Sequence, residues 1–163
     1  MIILDSTTRS LEVVLAGLVA TNQLPVVTSY VDVPAYTAAS NPTQTNSTTA
    51  VTIVAAPIAS IQRQLKFISV RNKDSASATV TIQYNDNTTL REMIKVILLV
   101  DETLIYTDGE GFRVLDANGA IKGTGPTGSQ GITGAQGPVG PAVFLSSEEP
   151  DSPLDVIPGN QGT

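Results

Sequence analysis

The sequence predicts an all-β chain: an antiparallel β-sandwich or jelly-roll-like domain followed by a short collagen-like triple-helical stalk. Three observations carry this expectation. Short runs rich in Val, Ile and Thr recur between turn signals at a spacing of about 8–12 residues, the rhythm of a sandwich or barrel. No amphipathic helical stretch separates these runs, which argues against parallel βαβ units. From 125 to 140, glycine then holds every third position without a break in register. That is the period of a triple helix, in which only glycine fits at the crowded axis.

The elements follow in order. LEVVL (11–15) and LPVVTSYVDV (24–33) are β-branched runs. In the second, Val27, Val31 and Val33 share one face, opposite Thr28, Tyr30 and Asp32, and Pro34 ends it. Residues 35–50, AYTAASNPTQTNSTTA, are expected to form a long polar loop, an exposed arm or binding excursion. VTIVAAP (51–57) is a short strand stopped by Pro57. RQLKFISVRN (63–72) follows, with Leu65 and Phe67 alternating against Gln64 and Lys66. ATVTIQY (78–84) alternates most cleanly: Ala78, Val80, Ile82 and Tyr84 point one way, Thr79, Thr81 and Gln83 the other. With the short link NKDSAS, these two runs read as an antiparallel hairpin. LREMIKVILLV (90–100) would also suit a helix, but its Ile and Val residues and its flanking turns favour a strand. DETLIYT (101–107), the tight turn DGEG, FRVLD (112–116) and the closing ANG (117–119) complete seven or eight strands.

The domains expected are a head at 1–122 that anchors and trimerises, a Gly-x-y stalk at 123–142, and an acidic tail at 143–163. In the tail, Val143, Phe144 and Leu145 form the one large apolar cluster. The triplets GPT, GSQ, GIT, GAQ, GPV and GPA place Gly125, Gly128, Gly131, Gly134, Gly137 and Gly140 at the axis and are the oligomerisation residues. Pro126, Pro138 and Pro141 directly follow glycine and pre-set the extended backbone. Six triplets span only about 50 Å at roughly 3.1 Å per residue. So short a stalk needs a trimeric head to hold its chains in register.

Composition excludes several function classes. The chain has 163 residues, a net charge of −6, no His and no Cys. Disulfide stapling, thiolate chemistry, zinc sites and histidine acid–base catalysis are removed together. No basic run or aromatic interleaving offers a face to phosphates, so no nucleic acid is expected as a partner. No stretch reaches the ~18 apolar residues of a membrane span. Arg9 followed by VVLAGLVA imitates a short signal segment, but Asp5 and Glu12 interrupt it, and a buried strand is the better reading.

The remaining motifs weaken on inspection. Gly123, Gly125 and Gly128 spell a dinucleotide fingerprint, but glycine and proline recur too often for the helix it requires. Asp116, Asn118 and Gly119 resemble a fragment of a calcium loop without its distal Glu, and read as a turn. Asp108 and Glu110 cluster carboxylates in a glycine turn. Asn46-Ser-Thr48 and Asn87-Thr-Thr89 are formal glycosylation acceptors. Serines have no His partner, and no carboxylate pair is marked out by spacing. The expectation is no enzyme and no cofactor or metal.

The β-rich head, the threonine-rich polar segment, the closing YTDGEGFRVLDANG and the triplets after it together resemble virion structural proteins of tailed bacteriophages. The segment 106–122 looks like the exit of phage fibre and decoration proteins before a Gly-x-y stalk. The resemblance implies a virion location, a homotrimer and no catalysis. Within it, the short end after the stalk favours a capsid decoration (cement) or head-fibre protein, held by the major capsid protein or another virion protein. A tail-fibre or baseplate component, with a host surface as its contact, is the alternative. A bacterial collagen-like surface protein is the second alternative.

Overall fold

The computed structural model describes residues 1–123. Ten strands occur among them: β1 (Ile2–Leu4), β2 (Arg9–Leu15), β3 (Pro25–Val33), β4 (Thr37–Gln44), β5 (Val51–Val54), β6 (Gln62–Arg71), β7 (Ala78–Asp86), β8 (Thr89–Leu98), β9 (Thr103–Thr107) and β10 (Gly111–Leu115). They form two antiparallel sheets. One has the order β10-β9-β6-β3-β4 with β1 also beside β6; the other is β5-β2-β7-β8. Only β3–β4, β7–β8 and β9–β10 are hairpins between sequence neighbours; every other link passes from one sheet to the other. The two inner faces therefore share one core. Val13, Val80 and Ile82 of the second sheet meet Ile68, Val70 and Leu104 of the first, all fully buried. Each such side chain contributes about 1.5–3 kcal/mol on leaving water.

The all-β expectation holds, and so does the strand reading of 90–100 against a helix. The ten strands exceed the seven or eight expected, β1 and β4 being the additions, and four finer expectations also fail. The segment 35–50 is not a loop, because β4 occupies half of it and pairs with β3 from Thr37 to Gln44. Its alternation is invisible because it is an edge strand whose first half is exposed on both faces and whose half-buried positions, Asn41 and Thr43, are polar; even Pro42 is tolerated there. Next, 63–72 and 78–84 are not a hairpin: β6 and β7 lie in different sheets. The link between them is steered by Asn72, fully buried, whose amide donates to Ala76 O at 2.9 Å and Leu98 O at 3.0 Å.

Third, Leu65 and Phe67 do not share a face. Tyr30 pairs with Leu65 while Ser29 pairs with Phe67, so Lys66 is an extra residue. That bulge shifts the alternation, and Ile68 and Val70 join Leu65 in the core in place of Phe67. Fourth, the valine face of β3 is not the core face: Val31 is covered but stands outside the core cluster. Val27 is 43% exposed, whereas Thr28 is completely buried. The inner face accepts Thr28 because its Oγ1 donates to Ile53 O on β5 at 2.9 Å, satisfying a polar atom that would otherwise be costly to bury.

Candidate assembly surface

The six triplet glycines, and the tail apolar cluster Val143, Phe144 and Leu145, lie outside the described residues. The structure does describe the pole of the head from which the chain leaves. It is built by a tight turn after β10. Asp116 Oδ1 accepts the amides of Asn118 and Ala120, both at 2.9 Å. Asp116 N donates to Ala120 O at 2.8 Å, and Gly119 supplies the positive φ of 86° the turn needs. This Asp116 carboxylate is thus spent on its own backbone, as a turn reading requires. The turn sends the chain back along β10: Ile121 bridges Leu115, and Lys122 N donates to Val114 O at 2.7 Å.

Lys122 then reaches Glu102, with Nζ 2.7 Å from Oε1. The other carboxylate oxygen accepts the Leu99 amide at 2.9 Å. Glu102 is buried. Burial alone would raise its pKa, but the Lys122 ammonium and the Leu99 amide outweigh it and hold it below the usual glutamate range. Beside this pair lies a shallow cavity of about 230 Å³ lined by Val96, Ile97, Val114, Lys122 and Gly123. Of its lining residues Ile97 is 59% exposed, and nearby in the chain Leu99 at 51%, Val100 at 45% and Ile121 at 62% are exposed too. Isolated exposed apolar residues need no explanation, but a cluster marks a contact surface.

The other candidate positions are absorbed by local structure. Asp108 is paired with Lys66 at 2.8 Å and Glu110 with Arg113 at 3.3 Å, so the two carboxylates of the β9–β10 turn do not converge on one point. Asn46 and Asn87 sit on exposed turns. Asp74 is a loop anchor: its carboxylate accepts the amides of Ala20 at 2.7 Å, Thr21 at 2.6 Å and Asn22 at 3.1 Å. Those backbone donors hold its pKa far below the ordinary aspartate value. Comparison with protein-family models, curated proteins and solved structures finds no match.

The sequence reading located the exit turn but missed the apolar patch beside it. One signal was available. β8 ends in Val96-Ile97-Leu98, and Leu99 and Val100 follow it, an unbroken apolar run that starts on a strand with only one face toward the core. Leu98 fills the core position, and Ile97, on the other face, stands exposed.

Proposed function

We propose that this chain is a non-enzymatic structural protein of a tailed-bacteriophage virion, acting as a homotrimeric capsid decoration or head-fibre protein. The carrying observation is the unbroken six-triplet glycine register that begins two residues after the head's last described residue. The β-domain binds the capsid shell, and the stalk of 123–142 extends what is anchored. The two-sheet head supports this reading as a compact, cross-linked base. So does a net charge of −6, which favours a soluble, non-sticking surface. Contact with the major capsid protein would stabilise the particle by mass action.

A second reading, a tail-fibre or baseplate component, is favoured by one feature. The β3–β4 hairpin presents Tyr36 exposed at its tip and a polar, exposed β4 behind it, an arm suited to touching another surface. Antibody labelling of intact particles separates the two. Label over the capsid is expected; label confined to the tail would favour the second reading, and particles without label would contradict both.

A further inference from the structure

We infer that the apolar patch around Gly123 is the surface through which two further copies of this chain join the head, bringing three chain exits onto one axis. This rests on the trimeric triple-helix reading above and assigns its interface. A triple helix winds three chains in contact around one axis. Gly123 precedes Gly125 by two residues, a reach of at most about 7 Å of extended chain. The head surface around Gly123 must then face that axis and meet its counterparts.

Ile97 and Gly123 line the same cavity; Ile97 stands exposed there, as does Ile121 two residues before Gly123, and Leu99 and Val100, next after Leu98, are exposed as well. Two charged groups beside it are already matched. Lys122 and Glu102 are paired at 2.7 Å, so burying the patch strands neither charge. Asp101, in the turn that follows Val100, pairs with Arg71 at 3.2 Å and Lys73 at 2.7 Å. An apolar centre flanked by paired polar groups matches the anatomy of a protein interface, and a closed three-fold ring lets each patch meet the next.

Sedimentation velocity and circular dichroism on the full chain test this. The parent is compared with the double variant Ile97→Asp/Ile121→Asp, and with Leu90→Asp, an exposed apolar site at the far end of β8, as the control. The parent and Leu90→Asp should be trimers with a triple-helix signal. The double variant should keep the head's melting transition, dissociate at concentrations on the order of tenfold or more above the parent's, and lose the triple-helix signal. Should the aspartates unfold the head, Ile121→Ser, outside the ten strands, carries the same test. A double variant as trimeric as a trimeric parent overturns the interface and leaves the trimer reading standing. A monomeric parent overturns both.

Discussion

Single side chains in this head carry polar contacts that the apolar pattern conceals. Thr28 occupies a core position of β3 and spans to the opposite sheet through its 2.9 Å bond to Ile53 O. Asn41 of β4 donates to the same oxygen at 3.0 Å. Thr28→Val keeps the shape and leaves that oxygen one donor, so it should cost about 1 kcal/mol in urea unfolding. Asp74 gives a pH prediction. Its folded pKa lies below the unfolded value near 3.9, so its stabilisation is complete above that value and is lost as pH falls through the folded one. Asp32, held down by Arg63, acts in the same direction. The melting temperature should stay level from neutral pH to about 5 and fall below about 4. Asp74→Asn should lower it by several degrees at pH 7 and flatten part of the acid fall; an unchanged curve would remove Asp74 from the account.

At the scale of elements, legibility followed side-chain contrast. β7 was readable because apolar Val80 and Ile82 alternate with polar Thr79, Thr81 and Gln83, even though Thr81 and Gln83 are themselves buried. β4 was not, because its first half is exposed on both faces and its half-buried positions, Asn41 and Thr43, are polar. The Lys66 bulge was not, because an inserted residue leaves no compositional mark, yet it moves every following side chain to the other face. Sheet assignment was hidden for a related reason: a short polar link between strands is equally compatible with a hairpin and with a crossing, and the choice here rests on buried Asn72. The exit turn, by contrast, was written in Asp116, Asn118 and Gly119. Gly119 has φ of 86° and open space where a Cβ would sit. Gly119→Ala should therefore cost about 1–2 kcal/mol from backbone strain alone, without repacking. A neutral substitution, read by thermal melting, would mean that the turn relaxes easily.

In the proposed function, the whole molecule divides its labour between a head that closes a core and a glycine period that calls for partners. The head's two sheets are cross-linked by repeated sheet-to-sheet passages, so its stability is expected to be its own. In the proposed trimer, six triplets are a short register, and the head is proposed to supply the contact, at the pole around Gly123 with its exposed Ile97 and Ile121. Gly131→Ala and Gly134→Ala should accordingly lower the protease resistance of 125–142 while leaving the head's melting unchanged. The most direct measurement is the mass of the full chain in solution by sedimentation equilibrium. The account predicts three chains of 17.0 kDa each, and a stable monomer at micromolar concentration would contradict it.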